Sequence, residues 1–239
     1  MLHVVLLDCA IEIIPPEIRA LKQIQQYASR RKKPVDELLL DQSHHGRAML
    51  RLEDHERRGR PDITFLSLHT LLETPLCKSG GLTVHLHLQD GRIIEVSPEV
   101  RLPRNYERFM GLMEQLLTYG RVPPEGTPLL RAVEIDLPGL IKRLENDSSD
   151  SLRVLAHESG TPTSLQGLVQ MLPEDPSVPV IIGVGAFPHG DLRDDIMAQF
   201  DQRISLDSEV MMSWHVCAEI LWAYSLRTSV VQRRLEMEG

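Results

Sequence analysis

The chain has 239 residues, 42% hydrophobic and 25% charged, with a formal net charge of −8 at pH 7. Such a composition belongs to a globular protein that can bury a sizeable core, as one α/β domain or two small ones, and excludes a disordered or fibrous chain. No apolar run is long enough to span a membrane, and three widely spaced cysteines, Cys9, Cys77 and Cys217, suggest neither a disulfide framework nor a metal site and fit a reduced cytoplasmic compartment.

Taken in chain order, the elements alternate. MLHVVLLDCAIEII carries no basic residue ahead of its apolar stretch, so it reads as a buried strand, His3 to Asp8, and not as a signal peptide. Pro15-Pro16-Glu17 opens a helix expected to reach about residue 32. Leu38 to Asp41 reads as a second strand and His44 to about Asp54 as a short helix, while Ile63 to Leu72 mixes both signals. Thr83 to Leu88 and Arg92 to Ser97 flank QDGR, and Asp-Gly between such runs is a strong hairpin signal. Pro103 begins a helix to about residue 119, followed by a proline-rich loop. Leu129 to Ile135 reads as strand, Leu137 to Leu144 as helix and Asn146 to Asp150 as a polar loop. Then come strand Leu152 to Ala156, helix Pro162 to Met171, strand Val178 to Val184, strand Arg203 to Leu206, and a long helix over 207–236. Strands alternating with helices imply an α/β fold, a mostly parallel sheet with helices on both faces. The whole chain, 1–239, reads as a single domain, with an inserted hairpin at about 82–97.

Four stretches could carry chemistry. IIGVGAFPHGDL at 181–192 runs an apolar strand into glycines 183, 185 and 190. Pro188 stands where a dinucleotide fingerprint needs glycine, and no Gly-Lys-Ser/Thr follows. The loop is either a backbone-lined pocket for a neutral or zwitterionic group or a turn at a strand end. In RRGRPDI at 57–63, Pro61 biases Arg60 toward extended backbone, which puts Arg60 and Asp62 on one face, so the carboxylate can orient the guanidinium; otherwise the stretch is a solvated charge run. In RLPRNYERF at 101–109, Arg104 and Arg108 are four apart on the expected helix and Arg101 precedes it. Three converging arginines suit a phosphate backbone, and a solvated face is the alternative. His44-His45 and His85-x-His87 resemble metal pairs, but no further ligands stand at zinc-like spacing, so no metal is expected. The helix VMMSWHVCAEILWAY is apolar nearly all round, as a core helix or one whose second face meets another copy of the chain, with Trp214 and Trp222 both on it.

Charge distribution bears on a nucleic-acid partner. Residues 1–120 hold as many basic as acidic residues, so the whole net charge lies in the second half. The footprint of an RNA-binding face is local, and global acidity does not exclude one.

LDCAIEIIPPEI, ELLLDQSHHGRAM, RRGRPDI, PEVRLPRNYERFMGLMEQLL, GAFPHGD and ISLDSEVMMSW, in that order, resemble the Nep family of ribosome-biogenesis proteins, pseudouridine N1-specific methyltransferases of the SPOUT superfamily. The likeness covers nearly the whole chain. It implies a C-terminal trefoil knot, a rare exception to the usual unknotted topologies, and S-adenosyl-L-methionine as cofactor. By motif match, the cofactor would rest on Leu155, on the loop from Gly185 to Gly190, and on Ile204, Ser205, Leu206, Asp207, Ser208 and Glu209. LDSE makes that third loop more acidic than the family pattern. The substrate would be a pseudouridine in a small-subunit rRNA hairpin, with Arg60 and Asp62 as catalytic residues and Arg60, Arg101, Arg104 and Arg108 on the RNA. A homodimer in the cytoplasm and small-subunit ribosomal proteins as partners would follow. Two other readings stand beside this one: a non-catalytic rRNA-binding assembly factor, and a related enzyme acting on tRNA.

Overall fold

The computed structural model describes residues 1–146, 148 and 150–237, so the loop expected at Asn146–Asp150 lies partly outside the described residues. Eight strands form one sheet: β1 Leu2–Cys9, β2 Leu82–Leu88, β3 Ile93–Val96, β4 Arg121–Val122, β5 Leu130–Val133, β6 Leu152–Pro162, β7 Val180–Gly185 and β8 Gln202–Ser205. Their order is β4-β5-β3-β2-β1-β7-β6-β8. β1 is parallel to β2 and β7, and β6 to β7 and β8, while the β2/β3, β3/β5 and β4/β5 pairs are antiparallel. The 82–97 hairpin is therefore continuous with the sheet, its first strand lying directly against β1.

Alternation along the strands splits the core in two. Leu2, Val4 and Leu6 of β1, with Val180, Ile182 and Val184 of β7, belong to one cluster; Val5, Leu7 and Ile181 belong to the other. The helices are α1 Pro16–Arg19, α2 Lys22–Arg31, α3 Gln42–Met49, α4 Pro61–Leu72, α5 Pro75–Lys78, α6 Tyr106–Tyr119, α7 Leu137–Glu145, α8 Leu165–Met171, α9 Asp194–Met197, α10 Ser213–Thr228 and α11 Val230–Met237. α4, α6, α8 and α10 cover the first face through Leu68, Phe109, Leu168 and Tyr224. α7 and α9 cover the second through Leu140 and Ile196. Every residue of β1 is buried. Each such Leu, Ile or Val contributes about 1.5–3 kcal/mol relative to exposure, so a charged residue at Leu6, packed on the first face, would unfold the sheet centre.

Several boundaries differ from expectation, each for a local reason. The helix expected to run to residue 32 is interrupted at Leu21, whose ψ of 138° separates α1 from α2. Leu38 to Asp41 does not join the sheet. It bridges only to the segment after β1, at Ile13–Leu39, and its leucines fill the core between sheet and helices α1 to α3. Ile63 to Leu72 is helix, α4. β6 runs on to Pro162, past Ala156. Its Gly160 lies against β8, where a Cβ would come within 2.7 Å of Ile204 Cα and closer still to its N and C atoms. α6 starts at Tyr106, capped by Asn105, whose side chain accepts from Arg108 N. The last helix starts at Ser213, not 207. Asp207 Oδ1 accepts Glu209 N at 2.8 Å, and Ser205 Oγ donates to Asp207 O at 2.7 Å; such side-chain turns compete with helix. Ser229, at φ 51°, separates α10 from α11.

Candidate active site

β7, β6 and β8 are adjacent and parallel, so their carboxyl ends open on the same edge of the sheet. Ligands in open α/β sheets bind outside such ends. A pocket of about 160 Å³ lies there, walled by the last residues of β7 and β8 and by Ala156 to Glu158, midway along β6. Gly185, Gly190, Ile204, Ser205, Leu206, Asp207 and Glu209, all named above as candidate cofactor contacts, line it. Leu155 does not: its side chain is fully buried in the second core cluster, and Ala156, His157 and Glu158 form the first wall. Ser208 turns instead to Asp207 Oδ1, at 3.4 Å.

The glycines make room for protein. A Cβ on Gly185 would press on the Phe187 ring at 3.0 Å, and one on Gly190 would meet Arg57 Nη1 at 2.6 Å. Gly190 also has a φ of +83°, which L side chains disfavour. Gly183 points into the second core, where a Cβ would strike Phe200 at 2.5 Å.

All three arginines of RRGR are paired, so the stretch is no solvated charge run. Arg57 donates through Nη1 to the carbonyls of His189 and Asp191, at 3.3 and 2.7 Å, and through Nη2 to Asp8 at 3.2 Å. Its guanidinium lies 4.3 Å from the Phe187 ring centroid. It thus pins the glycine loop to the end of β1. A second tie comes from β6: His157 Nε2 and Asp191 Oδ1 are 2.6 Å apart, and this bond lowers the pKa of the Asp191 carboxyl. Arg58 forks onto Glu12. Neither Arg57 nor His157 was legible as a site residue, because their partners in the glycine loop are remote in sequence. Gly160 had a signal, an isolated glycine in a strand-like run, and it was missed.

Arg60 and Asp62 form the expected fork, Nε to Oδ1 and Nη2 to Oδ2, both at 2.8 Å. The bond to Asp62 raises the guanidinium pKa further, so Arg60 is a fixed cation. Both carboxylate oxygens are engaged, which suits orientation of Arg60. The backbone joins this fork to the pocket: Arg60 N donates to Ala10 O at 3.0 Å, and Ala10 N donates to Ala186 O at 3.2 Å. Ala186 separates Gly185 from Phe187, two of the pocket's lining residues. Beside the fork, Tyr106 donates to Asp41 Oδ2 at 2.8 Å, and burial with that carboxylate raises the phenol pKa.

The three further arginines do not converge as expected. Arg104 precedes α6, so it shares no helical face with Arg108. Arg101 and Arg104 line one groove, while Arg108 lines another with Lys33. Among the described residues no group of three His, Cys, Asp or Glu could hold a metal ion, and no helix is long and apolar enough to cross a membrane. His3 and His85 are instead buried, which depresses both pKa values to about 4.

A pocket beside three parallel strands, joined by two backbone hydrogen bonds to a residue whose side chain is a fixed cation, defines an α/β protein with a candidate small-ligand site. Comparison with known proteins narrows this. The family model described as EMG1/NEP1 methyltransferase matches residues 4–225, and the chain belongs to that family. It is 41% identical over 221 residues to the ribosomal RNA small subunit methyltransferase Nep1 of Thermococcus onnurineus, covering 92% of this chain and 96% of that one. Nep1 of Staphylothermus marinus is 37% identical, covering 92% of this chain and 93% of its own. The crystal structure of Archaeoglobus fulgidus Nep1 bound to S-adenosylhomocysteine superposes with a TM-score of 0.79 at 33% identity, over 95% of this chain and 98% of that one.

Proposed function

We propose that the chain is an S-adenosyl-L-methionine-dependent methyltransferase that modifies N1 of a pseudouridine in a small-subunit rRNA hairpin during ribosome biogenesis. The observation that carries this reading is the hydrogen-bonded path from the Arg60–Asp62 fork through Ala10 to the pocket wall at Ala186. It ties the backbone of Arg60 to the pocket wall, which supports Arg60 as the cation that would face the substrate.

The pocket fits the cofactor chemically. Val184, Phe187, Leu192, Ile204 and Leu206 offer apolar surface to an adenine ring, and Asp207 and Glu209 place carboxylates where a sulfonium or ammonium is welcome. Bound there, the cofactor supplies an electrophilic methyl group. The protein's part is alignment. Arg57 and His157 hold the glycine loop, and Arg60 stabilises negative charge developing on the ring carbonyls as N1 gives its proton to solvent water. Asp62, with both oxygens bonded to Arg60, orients that cation. An unstacked loop base is the natural target, since it can be splayed out of its strand. Arg101, Arg104 and Arg108, all exposed, line two separate grooves and would take phosphates elsewhere along the strand.

The reading extends to the rest of the family pattern. A knotted C-terminal part belongs to the same family pattern, and it would bring α10 beside the pocket, where Ser213 Oγ donates to Gly185 O at 2.6 Å. Trp222 and Leu226 stand one turn apart on α10, 66% and 59% exposed, and we place a homodimer contact there; a wild-type chain that sediments as a monomer refutes it. Work on the small subunit places the protein in the cytoplasm, near small-subunit ribosomal proteins. The decisive experiment incubates the protein with labelled cofactor and matched hairpins bearing uridine or pseudouridine at one position. Methylation of the pseudouridine hairpin alone is expected; equal labelling of both, or of neither, sinks the proposal.

A further inference from the structure

We infer that the groove between the end of α4 and the entry to α6 is a second nucleotide subsite, which takes an unstacked base bearing an exocyclic amine. This rests on the reading that the chain acts on RNA. The groove has a volume of about 610 Å³, within the roughly 300–1,000 Å³ of small-ligand sites. Its floor is apolar, built from Leu68, Leu72, Val100 and Leu102, all core residues. A flat base can lay a face on such a floor.

The groove is not the target site. α4 begins at Pro61, directly after Arg60. At about 1.5 Å rise per residue, Leu68 to Glu73 lie roughly 12–20 Å along the axis from Arg60. One base cannot occupy both places, so the groove receives a different nucleotide of the same strand.

Its rim sorts by charge. Lys78, Arg101 and Arg104 supply cations for phosphate. Glu73 and Glu99 stand in the same lining, and ionised carboxylates only accept hydrogen bonds. Toward phosphate they are repulsive; toward a base edge they accept from an exocyclic amine. Cytosine, adenine and guanine carry one, and uracil does not. Glu73 is available for this, since its contacts with Arg104 at 3.4 Å and with His69 at 3.8 Å leave its carboxylate half exposed and such surface pairs contribute little. An acidic peptide could use the cations but would face both carboxylates, so RNA is the better match.

Fluorescence anisotropy with short single-stranded oligocytidylate and oligouridylate tests this on the full chain. Oligocytidylate is expected to bind about 10-fold more tightly, the scale of one good base-edge contact. The Glu73→Ala/Glu99→Ala double variant brings the ratio close to one. Lys78→Ala weakens both ligands and flattens the plot of log K against log salt by roughly 0.7, one phosphate contact. Equal binding of the two oligomers, a ratio that survives the double variant, or displacement of RNA by oligo-aspartate at equal concentration overturns the subsite. Pseudouridine-hairpin methylation is measured in parallel. Methylation without base preference overturns the subsite alone, whereas loss of both RNA binding and methylation in the wild type removes the reading beneath it.

Discussion

Replacing Arg57 by alanine removes four contacts at once. Two are charge-assisted bonds to the carbonyls of His189 and Asp191, about 1.5–3 kcal/mol each in favourable cases. The third is the stack on Phe187, about 0.5–1 kcal/mol at a partly exposed site. The fourth is the ion pair with Asp8, whose side chain is only 5% exposed and is left without its cation, a penalty of roughly 3–5 kcal/mol when fully buried. These terms do not add, and the Arg57 side chain is 23% exposed, so water replaces part of each. A net loss of about 3 kcal/mol in stability is expected. Loosening the glycine loop should weaken S-adenosylhomocysteine by about 10- to 100-fold, or roughly 1.4–2.8 kcal/mol. Arg57→Lys keeps a charge on Asp8 but lacks the fork for two carbonyls, so it should recover stability more than affinity. Thermal unfolding and calorimetric titration read the two quantities separately. An Arg57→Ala protein that binds S-adenosylhomocysteine within twofold of wild type would refute the claim that Arg57 holds the cofactor loop.

Arg60→Ala should abolish methyl transfer and weaken RNA binding while leaving calorimetric cofactor affinity intact; unchanged turnover removes Arg60 from the reaction. Gly160→Ala drives a Cβ into the Ile204 backbone and should cost more than about 3 kcal/mol, and a melting temperature equal to wild type means that the strands do not cross so closely. His3, His45 and His85 have pKa values depressed by burial to about 4, against about 6.5 when unfolded. The unfolded chain therefore binds more protons between those values, so stability is level above pH 6.5 and falls as pH drops from 6.5 to 4. Urea midpoints that do not move between pH 7.5 and 5 contradict that burial.

What could be read from residue order was whatever depends on near neighbours. Arg60 and Asp62 are two apart, so their pairing was legible, but not its geometry: the expected extended backbone is a helix start, with Arg60 as N-cap at ψ 61° and Asp62 in the first turn. The hairpin at Asp90-Gly91 was legible for the same reason, with Gly91 at φ +88°. Helix starts were less so: Pro103 reads as the opening of a helix, yet α6 begins at Tyr106, where the Asn105 side chain caps. The stretch 207–212 was absorbed into a helix since VMMSW continues the apolar pattern of α10, while the turn at Asp207 that prevents this is a side-chain bond. Arg57 lay beyond reach: its carbonyl partners are 132 and 134 residues away, and nothing in a run of arginines says which one turns inward. The glycines marked the right loop, but what fills the space beside them is Phe187 and Arg57.

The place of β1 in the sheet bears on how the chain comes off the ribosome. Leu2 pairs with Leu82 on one side and with Val180 on the other. At about 5–20 residues per second, β7 emerges roughly 10–35 s after β1. Throughout that interval one edge of a strand destined for full burial has no lasting neighbour, the condition under which strands pair wrongly. The bond from Ala10 to Ala186 forms later still, so a nascent chain carries the Arg60–Asp62 fork long before the pocket wall it is tied to exists.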